Sequence, residues 1–496
     1  MEATDLINAV ESLTGAEDIA RRATDVALGE NPIPRVCCDS RRVAPGDIFV
    51  AVRGSQVDGH EFIEQAIQQG AALIVAQRKV PTPAHTRLLL VDDSAAALGP
   101  LAQFSCGQPS KHMKVLGVTG TNGKTTVTYL VRQMLREAGV RCGLLGTVQY
   151  DLGDGQLIKA DNTTPDAVRL ADMMQKMKRN NLDAAVMECS SHGLHQQRTA
   201  GINFAAAAFT NLSGDHLDYH GSQTEYLRAK GILFAGLHPN ATAIINRDDP
   251  ADQYLSDITP AHVWRYGFNG DCDITAKIQD QGIWGARFSL KLFDDALEVQ
   301  TKLIGAHNVN NCLAAAGLAR AAGADKHAIA DGIQNLTVVP GRLERIETAQ
   351  NFTVLVDYAH TDDALDHSLK TVRSLTRRQV TVVFGCGGDR DRTKRPRMAR
   401  VAQQYADRII ITDDNPRREN PQKIRNEILA GFAPAHRKKV TEIADRKEAL
   451  AHAITPAQPD DVVLIAGKGH EDYQIVGNDI LDFDDRTVAR QIIQNY

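Results

Sequence analysis

No stretch of this 496-residue sequence is long and apolar enough to cross a membrane, so a membrane-spanning role is not expected. An excess of positive charge is also missing. The net charge of -5 at pH 7 argues against a general nucleic-acid binder. The eight cysteines, at positions 37, 38, 106, 142, 189, 272, 312 and 386, form no CxxC pair and no zinc-type spacing. Most lie among apolar residues, so buried free thiols in a reducing compartment are expected. The N-terminal MEATDLINAVESL is acidic and amphipathic and lacks the basic start and apolar core of a secretion signal. A cytoplasmic location is therefore expected. The sequence has no internal repeat and no low-complexity tract. What is present is ordinary: 43% hydrophobic and 24% charged residues, the balance of a globular chain of roughly three domains.

The distinctive stretch is GVTGTNGKTTVTYLVRQML, Gly117 to Leu135. It overlaps KVLGV, a short apolar run that predicts a buried strand from Lys114. Beyond Lys124, the apolar residues Val127, Leu130, Val131, Met134 and Leu135 recur on one face of a helix, and Gly139 supplies a stop. A loop between a strand and a helix start offers an anion unpaired backbone N–H groups and the positive end of the helix dipole. Gly120 and Gly123 let the backbone approach phosphate, Lys124 reaches the outer phosphates, and the Thr125 hydroxyl suits Mg2+. The general pattern for such loops wants Gly where Val118 stands, so this is a variant form.

Three α/β blocks are expected. Residues 1–110 carry CCDSRRVAPGDIFVAVRG and AALIVAQ, a small α/β unit ending near the polar CGQPSKH. Residues 111–340 alternate strand-like and helix-like segments as a parallel sheet does, and TVVPGRLE reads as a connector. Residues 341–496 repeat the alternation. The expected fold is thus α/β: a small first domain, a central phosphate-loop domain with a parallel sheet, and a Rossmann-like C-terminal domain. In the last two blocks, apolar strands end in polar residues: Glu188 to His192, Thr210 and Asn211, Asp357 to His360, Gly385 to Arg390, Asp413 to Arg417, and Gly467 to Glu471. Any buried strand leaves a core this way. Repeated in a chain with a phosphate loop, such exits favour a ligand site between two domains, because parallel sheets bind beyond the carboxyl ends of their strands.

Glu188, after a buried strand, stands where a Mg2+-organising carboxylate would. In NLSGDHLDYHG, His216, Asp218 and His220 cluster. Two His four apart invite zinc, but no third ligand stands at a familiar spacing, so contact with Mg2+ or phosphate is the better expectation. GAHNVNNCLAA starts a helix with Asn308 and Asn311, which by themselves read as capping residues. GDRDRTKRPRMAR is densely basic and begins at a strand exit, where Arg390 can clamp a carboxylate. DDNPRREN offers Asp414 for an ammonium and Arg417 for a carboxylate, a mixture that binds a zwitterion; the same residues also make an ordinary Asx-Pro turn.

Together TGTNGKTT, ECSSHGL, TNLSGDHLDYHG, GAHNVNNCLAA, PGRLE, VDYAHT and DDNPR resemble, in order and over nearly the whole chain, the Mur ligases of peptidoglycan synthesis. That family's loop has the TGTxGKT form, which accounts for the departure at Val118. Asp414 to Arg417 is similar to the branch that adds meso-diaminopimelate, since lysine-adding relatives lack the arginine. The resemblance implies a cytoplasmic ligase, expected to be a monomer, with ATP, UDP-MurNAc-L-Ala-D-Glu and meso-diaminopimelate as substrates. An acyl-phosphate intermediate and Mg2+ are implied with them.

Site roles follow from the same resemblance. Gly120, Thr121, Asn122, Gly123, Lys124, Thr125 and Thr126 would cradle ATP; Asn308, Arg342 and Asp357 would hold the nucleotide, with His360 beside them. Glu188 and His216 would organise Mg2+ with Thr125, and Lys230, as a carbamate, would carry a second ion. Carbamylation turns an ammonium into an anion, which a lysine at a cation site requires. Lys124, Glu188, His216 and Lys230 form the expected catalytic set. The UDP-sugar peptide would meet Cys38, Ser40, Ser55, Gln56 and Val57 in the first domain. In the second it would meet Asn162, Thr163, Thr164, Ser190, Gln196 and Arg198. Diaminopimelate would lie against Arg390, Asp414, Asn415, Pro416, Arg417, Gly467 and Glu471.

Three alternatives stand beside this reading. A lysine-adding ligase shares the fold and mechanism but has no use for Arg417. A ligase similar to folylpolyglutamate synthase shares the ATP-site domains but lacks a uridine-binding first domain, which Asp39 to Gly54 fits. A P-loop switch ATPase would release phosphate without any acceptor.

Overall fold

The computed structural model of the chain describes residues 34–54, 57–214, 216–347 and 350–495. The MEATDLINAVESL segment, Ser55, Gln56 and the side chain of Asp218 lie outside the described residues. The fold is α/β, as expected, and the described residues are built on three principal sheets.

The first sheet has four parallel strands in chain order: Val36–Cys37, Ile48–Val50, Leu73–Ala76 and Arg87–Leu90. They are short apolar runs, as fully buried parallel strands are. One face packs on the helix Ser94–Ser105, whose Leu98 and Leu101 share a core with Ala167 and Ala171 of the helix Ala167–Arg179 in the next unit.

The second sheet has 11 strands. At its middle lies Lys114–Thr119, paired in parallel with Ala184–Glu188 on one side and Phe204–Phe209 on the other. The pairing stays parallel from Ile274–Gly282 across to Cys142–Leu145, and antiparallel strands extend both edges. The predicted helix forms as Lys124–Glu137, and Val127, Leu130, Val131, Met134 and Leu135 are all 0% exposed. It packs against the helices Ala306–Ala321 and Lys326–Asn335, which seal the apolar stripe from water.

The third sheet has six strands, in the order Glu344–Ile346, Thr353–Asp357, Val462–Ala466, Val380–Phe384, Arg408–Ile411 and Val440–Glu442. All but the first are parallel. A separate hairpin, Tyr473–Val476 with Asp479–Asp482, follows. Beneath this sheet Arg446 and Asp485, both with fully buried side chains, form a bidentate pair at 2.8 and 2.7 Å. The guanidinium also donates to Ala466 O at 3.1 Å, tying two helices to the end of the strand that precedes Gly467. All eight cysteines are free. No helix among the described residues is long and apolar enough to cross a membrane.

Candidate functional site

The phosphate loop leaves the strand Lys114–Thr119 and enters the helix Lys124–Glu137. Gly120 sits at φ +144° and Gly123 at +89°, conformations that favour glycine. Space enforces the same choice: a Cβ would fall 1.8 Å from Thr210 Oγ1 at Gly120 and 2.4 Å from Asn311 Oδ1 at Gly123. The neighbouring strand's exit pins the loop. Thr121 N–H donates to Asn211 O at 2.8 Å, Asn122 N–H to Asn211 Oδ1 at 3.0 Å, and Thr210 Oγ1 to Asn122 O at 2.6 Å. Lys124 Nζ folds back onto Gly120 O at 2.9 Å and Thr121 O at 2.8 Å. Thr126 is buried in the first helical turn.

Thr125 Oγ1 donates to Glu188 Oε1 at 3.0 Å. The two meet because Val118 and Glu188 are register partners in adjacent parallel strands. Glu188 is 1% exposed and also accepts Thr147 N–H at 2.8 Å and Thr147 Oγ1 at 3.0 Å. Lys230, on the helix Gln223–Ala235, is equally buried; its Nζ donates to Gly120 O at 2.7 Å and lies 4.2 Å from the centre of the Tyr226 ring. His216 is exposed and left-handed at φ +53°, with its ring edge-on to His192 at 4.8 Å between centres. Among the described residues no three His, Cys, Asp or Glu side chains gather as a metal-binding group. The oxygens of Thr125 and Glu188 are the hard donors at this loop.

The capping reading of Asn308 and Asn311 is corrected by the structure. The cap of Ala306–Ala321 is Gly305, at φ +95°, so both amides lie inside the helix. Asn308 Nδ2 donates to Ile304 O and Asn311 Nδ2 to Asn308 Oδ1, each at 2.9 Å. The effect is to present Asn311 Oδ1 to Gly123. Arg342 crosses from the connector: its Nη2 donates to Thr125 Oγ1 at 3.0 Å, and its guanidinium lies 5.1 Å from the Tyr358 ring centre. Arg342 Nε is buried and has no hydrogen-bond partner among the described residues. Asp357 accepts from Leu343 N–H at 2.7 Å, Ala359 N–H at 3.0 Å and Ser368 Oγ at 2.9 Å, which fastens the connector to the third sheet. Burial pushes its carboxyl up despite those bonds. His360 is exposed, with Nδ1 2.8 Å from Tyr358 O.

The residues expected to meet a sugar peptide fall in two groups. In the first unit Cys38 and Val57 are exposed, while Ser40 is buried and donates to Gln65 Oε1 at 2.8 Å. In the second unit Thr164 Oγ1 donates to Glu188 O at 2.8 Å and accepts Ser190 N–H at 2.9 Å. Arg198 donates to Thr164 O at 2.7 Å and to Gln196 Oε1 at 2.7 Å. Thr163 Oγ1 lies 3.0 Å from Thr147 Oγ1, one bond from Glu188. Asn162 and Thr163 line a cavity of about 460 Å3 whose far wall carries His470, Glu471 and Arg486. Burial, reinforced by Arg342 and Arg486, pushes the His470 imidazole down to about 3.

A larger cavity, about 830 Å3, adjoins it and shares Asp161, Tyr358, Glu471 and Tyr473. Gly214 and His216 reach it from the second unit; Arg390, Asp414, Asn415, Arg417, Gly467 and Glu471 line it from the third. Arg390 is exposed, and Pro416 is buried beneath the turn. Arg417 is left-handed at φ +51°, held by backbone bonds to Ile475 O at 3.0 Å and from Gly477 N–H at 2.7 Å; its Nη1 donates to Gly388 O at 2.9 Å. Asp414 Oδ2 is buried without a hydrogen-bond partner among the described residues. Burial works against its charge, but Lys468, Arg446 and His360 outweigh it and hold the carboxyl low. Glu471 goes the other way: burial, and then Asp414, pushes it up.

Sequence reasoning missed Asp363 and gave no role to Lys468. Asp363 Oδ2, on the helix Asp362–Leu375, accepts from Asn122 Nδ2 at 3.0 Å and Ser213 Oγ at 2.8 Å, a contact across a long stretch of chain that no local pattern announces. Lys468 belongs to one of the polar strand exits, and only its complete burial in the fold singles it out.

Three family models match the chain: "Mur ligase family, catalytic domain" over residues 32–105, "Mur ligase middle domain" over 118–319, and "Mur ligase, glutamate ligase domain" over 341–469. The chain is 46% identical to the UDP-N-acetylmuramoyl-L-alanyl-D-glutamate--2,6-diaminopimelate ligase of Geobacillus thermodenitrificans, over 95% of this chain and 96% of that one. A solved structure of an enzyme of that name superposes with a TM-score of 0.70 at 33% identity, covering 95% of this chain and 96% of that chain. A folylpolyglutamate synthase of Mycobacterium tuberculosis complexed with ADP and AMPPCP shares the fold, with a TM-score of 0.61 at 21% identity. The match covers 91% of that chain but 74% of this one. With matches to all three models and near-complete alignment to such relatives, the chain belongs to the Mur ligase family.

Proposed function

We propose that this chain is an ATP-dependent ligase that adds meso-2,6-diaminopimelate to UDP-MurNAc-L-Ala-D-Glu, a step in peptidoglycan precursor synthesis. One observation carries the choice of amino acid. The 830 Å3 cavity holds a buried carboxylate oxygen, Asp414 Oδ2, that lacks a partner, together with the guanidiniums of Arg390 and Arg417. That set suits an ammonium and a carboxylate on one carbon, the distal end of diaminopimelate. L-Lysine would leave the arginines unanswered.

In the reaction, an oxygen of the D-Glu γ-carboxylate attacks the γ-phosphorus of ATP, and ADP leaves with the bridging oxygen. The acyl phosphate so formed is attacked at carbon by the free amine. The tetrahedral adduct loses a proton and expels inorganic phosphate, leaving an amide. Lys124 and the loop N–H groups hold the phosphates while charge moves across them. Arg342, already on Thr125, adds a cation from the connector. Residues 120–126 with Asn308 and Asp357 form the nucleotide side. Asn162 to Thr164, Ser190, Gln196 and Arg198, with the first unit, form the sugar-peptide side. Thr125 and Glu188, with His216, would hold Mg2+, which when bound offsets the repulsion between carboxylate and phosphate. Lys230 packs fully buried beside that loop, an expensive place for an ammonium near a cation, and its conversion to a carbamate would supply an anionic ligand. We assign residues 1–110 to the uridine end, 111–340 to ATP and 341–496 to the amino acid, in a cytoplasmic monomer.

The test is phosphate release with ATP, the UDP-dipeptide and either meso-diaminopimelate or L-lysine. Release that needs all three substrates and prefers diaminopimelate is expected. Release without the acceptors would point to a switch ATPase, and a preference for L-lysine would remove the assigned substrate.

A further inference from the structure

We propose that Lys468 is a positioning residue for the amino-acid substrate: it fixes the Asn415 amide and steers one oxygen of Glu471 toward the substrate's distal ammonium. This rests on the diaminopimelate reading above. The Lys468 side chain is 0% exposed. Its Nζ donates to Asn415 Oδ1 at 3.0 Å and to Glu471 Oε2 at 3.4 Å, and lies 5.6 Å from the Tyr473 ring centre. Asn415 Oδ1 accepts a second donor, Ile475 N–H, at 3.0 Å, while its Nδ2 donates to Glu471 Oε2 at 2.8 Å. An amide whose oxygen faces two donors and whose nitrogen faces a carboxylate has a single satisfied orientation. Glu471 Oε2 is thereby committed twice, and Oε1 takes part in neither bond.

The cavity then offers an ammonium two carboxylate oxygens, Glu471 Oε1 and the unpartnered Asp414 Oδ2. The backbone leaves no slack there: a Cβ on Gly467, at φ +115°, would fall 2.7 Å from Asp414 Oδ2. Two buried carboxylates around one substrate cation leave a negative charge in excess, and Lys468 balances it. The groups that face Glu471 are Lys468, Asp414, Arg446, Tyr358 and Tyr473, with His360 facing Asp414. Without the lysine, burial and Asp414 act on Glu471 with less opposition and favour its protonated form, which repels no cation but holds none.

The experiment is steady-state kinetics of the full chain with meso-diaminopimelate varied at saturating ATP and UDP-dipeptide, from about pH 7 to about pH 9. For Lys468→Met, KM for diaminopimelate rises about 10- to 100-fold near neutrality and recovers as Glu471 ionises at higher pH, while KM for ATP stays within about twofold. In Lys468→Met/Glu471→Gln, KM is high and recovers less with pH than in the single variant, the remaining slope belonging to Asp414, which Lys468 also holds low. Should Lys468→Met fail to fold by circular dichroism, Lys468→Gln, which keeps a donor without the charge, is read the same way. An unchanged KM for diaminopimelate overturns the proposal, as does an equal rise in KM for ATP or a pH slope in the double variant as steep as in Lys468→Met alone. Failure of the wild-type chain to use diaminopimelate would instead remove the underlying substrate reading.

Discussion

At the scale of single residues, the proposed chemistry depends on groups whose neighbours leave them little choice. Lys124 lies across its own loop carbonyls, so Lys124→Ala removes a cation from the phosphate path without opening the core. Turnover should fall about 1,000-fold while the thermal unfolding transition stays close to that of the wild type, as measured by phosphate release and calorimetry. Arg417→Lys replaces a planar fork by a point charge. Preference for meso-diaminopimelate over L-lysine should shrink about 10- to 100-fold, read as the ratio of kcat/KM values. An undiminished ratio would take Arg417 out of substrate selection. Residues of this kind were legible in the sequence because their chemistry is local: glycines at a tight turn, a lysine before a helix, an arginine after a proline. Asn308 and Asn311 read locally as capping amides and not as interior ones, since Gly305 rather than a side chain ends the turn before them.

At the scale of elements, apolar period gave the strand Lys114–Thr119 and the helix Lys124–Glu137, because both bury nearly every apolar residue they own. The hairpin Tyr473–Val476 with Asp479–Asp482 was not read, and its pattern explains why: Ile480 is 71% and Leu481 50% exposed, so no buried face announces it. Its work is done by backbone and by one amide. Ile475 lends its carbonyl to Arg417 N–H and its N–H to Asn415 Oδ1, and Gln474 Nε2 donates to Asp414 O at 2.8 Å. Ile475→Pro deletes that N–H. KM for the amino acid should rise about tenfold, with KM for ATP unmoved, since the lost bond braces only the amino-acid turn.

At the scale of the whole molecule, contacts between residues far apart in the chain shape the candidate site, and sequence pattern has no access to these. Asp363 closing on Asn122, and His470 settling beside Arg342 and Arg486, each require residues far apart in the chain. His470 also makes stability depend on pH. Its folded form resists protonation until about pH 3, whereas the unfolded chain takes up a proton near the ordinary 6.5. As pH falls below 6.5 the unfolded state therefore gains protons that the folded state refuses, and stability declines. Urea unfolding at about pH 7 and about pH 5 should show a smaller loss for His470→Asn than for the wild type. An identical loss would mean that His470 contributes nothing to acid sensitivity. The connector through Gly341 and Arg342 has a different consequence. Because the Arg342 guanidinium bonds to Thr125 while Leu343 N–H is tied to Asp357, severing the polypeptide between Pro340 and Gly341 would send part of the proposed nucleotide surroundings away with each fragment. On that assignment neither piece would serve as a stand-alone ATP module, and any exchange of the last third of the chain with a relative would have to carry that arginine along.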